Sequence, residues 1–265
     1  MIRLFFISFL IISSIGNTTQ ANKSEIVSCQ RQFKAAQSDS LPIGIQSKIY
    51  TAFVQGLRSQ NDDDLTKLSK QLENLYKAHN QNLILYWRSY LQFYLSIYYF
   101  EKGDKQNSEK EIDKGTAWME NMENKNSEDY ALLAMLQGFG IQFQGMKAMF
   151  ISIAIKKNAK KAIALDSTNL RAYYVYASND FHTPEEYGGG KEAEKYLLKA
   201  ISLPAQKIKN DYLPSWGKEE SYEMLIKLYI KKGKLGLAKK YFQEGIKEFP
   251  KSHAINQLAS KLEGK

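Results

Sequence analysis

Residues 219–250 read EESYEMLIKLYIKKGKLGLAKKYFQEGIKEFP, and the spacing within this stretch decides the fold. Tyr222, Leu225 and Tyr229 recur at three and four residues, which places them on one face of a helix. Lys232, Gly233 and Lys234 interrupt that pattern, and Ala238, Phe242 and Ile246 resume it on a second helix. The small Ala238 leaves room for the bulk of Tyr222 and Phe242, so the two helices can pack closely. Pro250 stops the second helix, because its ring fixes φ and its nitrogen carries no proton to donate. A hairpin of two short amphipathic helices cannot bury its own apolar surface, so neighbours of the same kind are required.

Counting Glu219 as position 1, Tyr222, Leu225, Tyr229, Gly233, Ala238, Phe242 and Pro250 fall at positions 4, 7, 11, 15, 20, 24 and 32. In this the segment resembles a tetratricopeptide repeat (TPR). It departs from the family at Ile226, where glycine is usual, and at Gly245, where alanine is usual. The resemblance implies an all-α chain of antiparallel helical hairpins stacked as a right-handed solenoid.

A second copy is anchored upstream on Ala162, Leu165, Asp166 and Asn169, with Ser167 where proline commonly stands, so the next helix should begin near Leu170. Tyr173, Tyr176 and Ala177 supply its packing face, and Ala193, Leu197 and Ala200 that of its partner. The loop Phe181 to Gly190 lengthens this unit. Its run Thr183-Pro184-Glu185-Glu186-Tyr187-Gly188-Gly189-Gly190-Lys191, together with Leu213-Pro214-Ser215-Trp216-Gly217, is similar to exported bacterial TPR proteins without an assigned activity. The same spacing is also similar, more weakly, to the periplasmic T-component of tripartite TRAP transporters.

Toward the N-terminus the helical pattern persists while the repeats degenerate. Trp87, Tyr90, Leu91 and Tyr94 are spaced for one buried face of a helix over Tyr86 to Phe100, and Phe93, Ile97 and Phe100 for an adjacent one. Breaks are expected at Glu101 to Gln106 and at Asn124 to Ser127, followed by an apolar helix from about Asp129. Ile49, Phe53 and Val54 mark one earlier helix. Leu65, Leu68, Leu72 and Tyr76 mark another, capped by Asn61 to Asp64. No sustained alternation with hairpin turns suggests strands.

Arg3, the apolar run Leu4 to Ile15 and the small residues near Ala21 read as a signal peptide over residues 1–21. The run is shorter than the roughly 20 apolar residues needed to span a bilayer, and Asp129 to Ile155 is interrupted by Gln137, Gln142, Gln144 and Lys147. The protein is therefore expected in the periplasm or outside the cell. Cys29 lies too far beyond Ile15 for a lipoprotein signal, and as a lone cysteine it forms no internal disulfide. Residues 22–265 read as one helical-repeat domain, with degenerate repeats over 40–165, clearer ones over 166–250 and a C-terminal capping helix over 252–263.

The chain carries 37 basic and 28 acidic side chains, a net charge of +9, and 16 lysines against 9 acids lie between Lys191 and Lys265. A basic face attracts acidic partners. Nucleic acid is not expected, since no recognition signature accompanies the lysines. Catalysis has little support. His79, His182 and His253 lie far apart without a metal-ligating companion at i+4, and the adjacent Glu185 and Glu186 do not oppose each other across a substrate. Gly188-Gly189-Gly190-Lys191 lacks the serine or threonine and the earlier glycine of a P-loop. No catalytic, cofactor or metal residue is assigned. The reading is a scaffold, not an enzyme, that binds a protein or peptide through a concave helical surface. Lys231, Lys232, Lys234 and Trp216 are the candidate contacts, although Trp216 could equally cover a hydrophobic edge. The alternative is a transport-accessory protein enclosing a small ligand, as the T-component resemblance implies.

Overall fold

A computed structural model describes residues 41–262 as helices joined by turns, with no strand among them. The expected leader and Cys29 lie outside these residues. Ten α-helices of ten residues or more follow in order: α1 (Ile45–Ser59), α2 (Asp63–His79), α3 (Asn82–Glu101), α4 (Lys105–Asn121), α5 (Ser127–Gly140), α6 (Ala148–Leu165), α7 (Leu170–His182), α8 (Ala193–Ser202), α9 (Lys218–Lys231) and α10 (Leu235–Glu248). Two single-turn helices, α11 (His253–Asn256) and α12 (Ala259–Leu262), end the described chain where one longer capping helix is expected.

The packing follows chain order. Each even-numbered helix from α2 to α10 lies against the odd-numbered helix on either side of it, and the odd-numbered helices also pack against one another in succession from α1 to α11. Paired helices joined by short turns give antiparallel neighbours. The result is a row of odd helices flanked by even ones, so residues 42–262 form one unit.

Local chemistry explains the element ends. Gly233, at φ 67°, makes the α9–α10 turn where a side chain would be strained. Asn169 accepts the Arg171 N–H at the start of α7, and Asn126 accepts the N–H groups of Glu128 and Asp129 at the start of α5. The apolar stretch from Asp129 to Ile155 is not one helix. Two 3₁₀ turns, Ile141–Phe143 and Gly145–Lys147, break it around Gly145 at φ 48°.

The repeat residues carry the core of the last hairpins. Leu225 and Ala238 are fully buried, Tyr222 and Tyr229 nearly so, and Phe242 packs on them partly buried. Pro250 stands just after α10. Both departures from the TPR pattern have a cause. Ile226 is itself fully buried. A Cβ on Gly245 would sit 3.2 Å from Ile255 Cδ1 and 3.4 Å from Tyr222 Cβ, so glycine lets α11 close over the hairpin.

Between α3 and α4 the helices approach through small residues. Ser96 Oγ donates to the Ser108 carbonyl at 2.5 Å and Ser108 Oγ donates to the Ser96 carbonyl at 2.8 Å. A Cβ on Gly115 would lie 3.0 Å from Gln92 Cβ. Arg88 of α3 stacks on Tyr76 of α2 and Trp118 of α4, at 5.1 and 4.2 Å from the ring centroids. One guanidinium thereby joins three helices through two aromatic faces.

Asp129 completes the cap of α5 by accepting the Asn126 N–H at 2.9 Å, yet its side chain is almost wholly buried. Burial pushes its carboxyl up to about 7. Between about pH 4 and pH 7 the folded chain holds a proton that the unfolded chain has lost, so this group lowers stability as pH rises through that window. Asp129→Asn stays neutral throughout. Its unfolding free energy relative to wild type should therefore increase by about 3 kcal/mol between pH 5 and pH 8 in urea titrations. A constant offset would mean that Asp129 is ionised in the folded chain at both values.

Candidate functional site

Three surfaces contain the residues singled out by sequence: the segment between α8 and α9, the loop between α7 and α8, and the turn between α9 and α10. Each is built by contacts between hairpins.

Segment 203–217 crosses the N-terminal ends of the odd helices. The Asp211 carbonyl accepts the Gly44 N–H at 3.2 Å, and Gln46 Oε1 accepts the Ser215 N–H at 2.7 Å, both at the start of α1. The Tyr212 carbonyl accepts the Trp87 indole N–H of α3 at 2.9 Å. Arg171, at the start of α7, pairs through Nε and Nη2 with both carboxylate oxygens of Glu128 at the start of α5, each at 2.5 Å. Its Nη1 donates to the carbonyls of Ala205 at 2.9 Å and Trp216 at 3.2 Å. Arg171 is only 5% exposed. The planar fork matches a carboxylate with two bonds while its third nitrogen holds the segment.

Trp216 is corrected by this geometry. It is 4% exposed, so it is no surface contact; it covers the apolar edge of α3 and α7. Its indole N–H donates to Tyr86 Oη at 2.8 Å, its ring stacks on Tyr90 at 6.3 Å and meets Tyr174 edge-on at 6.2 Å. Gly217 follows at φ 100°, where a Cβ would lie 2.9 Å from Leu170 Cδ1. Glu220 accepts the Gly217 N–H at 2.7 Å, and burial raises its carboxyl.

The insertion loop is folded onto itself. Pro184 precedes a 3₁₀ turn over Glu185–Tyr187, and Gly188 and Gly190 take φ 84° and 76°. A Cβ on Gly189 would fall 1.9 Å from the Thr183 carbonyl oxygen. The negative charge at this helix start comes from the chain itself. Asp180, 1% exposed, accepts the N–H groups of Glu192 and Ala193 at 2.8 and 2.9 Å. Those donors are thus satisfied by the chain itself.

Lys231, Lys232 and Lys234 are exposed, but they are not free charges. Lys232 Nζ pairs with Glu194 of α8 at 2.9 Å and Lys234 Nζ approaches the same carboxylate at 3.8 Å. Lys231 Nζ lies 5.9 Å over the Phe181 ring. Tyr229 Oη donates to Glu194 as well, at 3.1 Å. The bond from Lys232 leads in holding the Glu194 carboxyl below its ordinary range. At the other end of this hairpin, Tyr222, Glu244, Lys247 and Glu248 line an open surface depression.

Sequence reasoning passed over an aromatic face on the first helices. Ring contacts run from Tyr50 to Tyr94 at 6.1 Å, Phe53 to Tyr94 at 5.1 Å, Tyr94 to Phe93 at 5.4 Å and Phe93 to Phe139 at 5.5 Å. Phe139 in turn meets Phe100 and Phe143 at 6.1 and 6.2 Å. Tyr50 is 54% exposed and Phe100 36%, while Phe53, Phe93, Tyr94, Phe139 and Phe143 are half-buried. The signal was present as aromatic density along α3. Its openness was not, because periodicity does not say which face a neighbour leaves uncovered.

No family model and no curated protein sequence matches the chain. Among solved structures the fold is similar to the HusA haemophore from Porphyromonas gingivalis, with a TM-score of 0.49 and 18% identity, over 77% of this chain and 93% of that chain. A likeness of that degree carries no argument about what this chain binds.

Trp216→Ala should cost about 3–5 kcal/mol in urea unfolding, as for other buried large-to-small changes. Arg171→Ala should cost about 3–5 kcal/mol, since it strands Glu128 and two carbonyls. The double variant should fall short of their sum by more than about 0.5 kcal/mol, because both changes release the same segment. Strict additivity would mean that the segment is held elsewhere. Gly189→Ala should lower the melting temperature by several degrees, roughly 2–4 °C per kcal/mol lost, and an unchanged value would show that the loop is free to move.

Proposed function

We propose that this chain is an exported, TPR-like binding module without catalytic activity, which holds a protein or peptide segment against the aromatic face of its first helices. The observation that supports this reading is the run of partly exposed rings, Tyr50, Phe53, Phe93 and Tyr94, contributed by α1 and α3 in mutual contact and continued to Phe100 through Phe139. Rings anchored by their neighbours offer large contact area at little loss of side-chain freedom, which is why aromatics dominate binding energy at interfaces. Stacked hairpins hold such rings at fixed spacing, as repeat architectures do for extended partners.

The basic turn has a secondary part in this reading. Two of its three lysines share Glu194, so the long-range attraction it offers is smaller than the sequence charge suggests. Burial raises the phenols of Tyr94 and Tyr174 well above their ordinary range, and the negative charge of Glu220 adds to both, with Glu219 adding at Tyr94 and Glu223 at Tyr174.

A photo-crosslinking amino acid placed at Tyr50, in cells, tests the proposal against the same probe at Lys110, an exposed residue of α4. One discrete protein adduct at Tyr50 and none at Lys110 is the expected result, and Phe93→Ala should reduce the adduct about tenfold or more. Equal adducts at both positions, or none at Tyr50, would reject the aromatic face as the binding surface.

A further inference from the structure

The start of α6 presents an apolar stripe to solvent. Met146 is 98% exposed, Met149 58%, Phe150 66% and Ile153 61%. Met149, Phe150 and Ile153 share one face of α6 at spacings of three and four residues, and Met146 stands just before them in the 3₁₀ turn Gly145–Lys147. The face opposite is the one that packs, through the buried Ile155, Ala159 and Ala162. Further along the exposed face stand Lys157, Lys160 and Lys161, all exposed, and Lys147 lies beside the tip. From Tyr130 to Leu165 the sequence holds five lysines and no aspartate or glutamate. Of these five, Lys156 approaches Asp180 at 3.9 Å and Lys160 lies 5.7 Å over the Tyr176 ring, and the described residues supply no ion pair for Lys157 or Lys161.

An apolar turn leading into a basic stem on one helical face is complementary to an anionic lipid surface. We infer that the α6 tip docks on a membrane rich in anionic headgroups. Met146, Met149, Phe150 and Ile153 enter the boundary between headgroups and acyl chains, where such side chains leave water. At about 1.5 Å of rise per residue, Lys160 stands roughly 15 Å from Phe150, which places the basic stem at the level of the phosphates when the tip is inserted. Gly145 and the two 3₁₀ turns detach this tip from α5, so insertion needs no unfolding of the stack. A membrane gives both halves of the stripe a partner at once. A wholly apolar partner surface would leave the lysines unanswered.

The test uses the full chain carrying Phe150→Trp with vesicles of phosphatidylglycerol or phosphatidylcholine whose acyl chains are brominated. The native Trp87 and Trp216 are buried and the half-buried Trp118 is replaced by Trp118→Phe in the same background, so a blue-shifted emission quenched by bromine reports the tip and not the apolar leader, which has no tryptophan. Quenching on phosphatidylglycerol, with little on phosphatidylcholine, is expected. Met149→Glu with Ile153→Glu in the same background should abolish it. Lys157→Glu, Lys160→Glu and Lys161→Glu together should weaken binding at least about 100-fold, since each lysine near an anionic surface contributes roughly fivefold. Vesicle binding without quenching at position 150, or equal quenching on both lipids, would overturn the inference. So would a blue shift that grows with protein concentration in the absence of lipid, which would assign the tip to a second copy of the chain.

Discussion

A buried guanidinium must satisfy its donors or it costs several kcal/mol, and in this chain that constraint organises the architecture. Arg171 meets it by taking both oxygens of Glu128 and the carbonyls of Ala205 and Trp216. Since Glu128 begins α5 and Arg171 begins α7, the pair aligns the starts of two odd-numbered helices. Since the two carbonyls belong to the segment before α9, the same side chain fixes where that segment runs. Trp216 is then delivered to Tyr86, Tyr90 and Tyr174, which joins α3 to α7 across the intervening hairpin. Removal of the guanidinium would leave a carboxylate and two carbonyls without this partner and loosen the segment that seats Trp216.

Helix identity was legible in the sequence wherever a spacing rule applied. The hairpin at 219–250 follows from residues three and four apart, and the boundary at Leu165 and Leu170, which the repeat resemblance implies, is where α6 ends and α7 begins. Interactions between residues far apart in sequence left no such trace. Arg171 reads as an ordinary charged residue near a helix start until Glu128 is placed beside it. Trp216 sits between proline and glycine, a context that suggests a surface loop, yet its partners lie up to 130 residues away. Asp180 is similar, for nothing in its neighbourhood says that it will cap α8 across the glycine loop. The stretch from Asp129 to Ile155 was marked in the sequence only by its polar interruptions at Gln137, Gln142, Gln144 and Lys147, whereas the turning is done by Gly145 in a left-handed conformation.

Charge was the least reliable guide to surfaces. The excess of lysine after Lys191 draws attention to the turn at Lys231 to Lys234, where neutralisation by Glu194 makes much of the charge structural. Between Tyr130 and Leu165 there are fewer lysines but no acids at all, and there the charge stays open to solvent. A count over a long segment averages these two situations. The local balance of acids and bases on one helical face separates them.

The exposed apolar groups divide by the same reasoning. Rings of α1 and α3 are half-buried, touch one another and border acidic residues, so they form a fixed surface suited to a partner that brings its own apolar side chains. Side chains at the start of α6 stand almost alone in water, are flexible in Met146 and Met149, and lead into lysines. Exposure of that kind is costly in a chain that remains dispersed, and the cost is offset only where the surroundings are apolar at one depth and anionic at the next. The two proposals therefore assign the surfaces different tasks, one of recognition by shape and one of attachment, and each surface can be removed by substitutions that leave the Arg171 contacts intact.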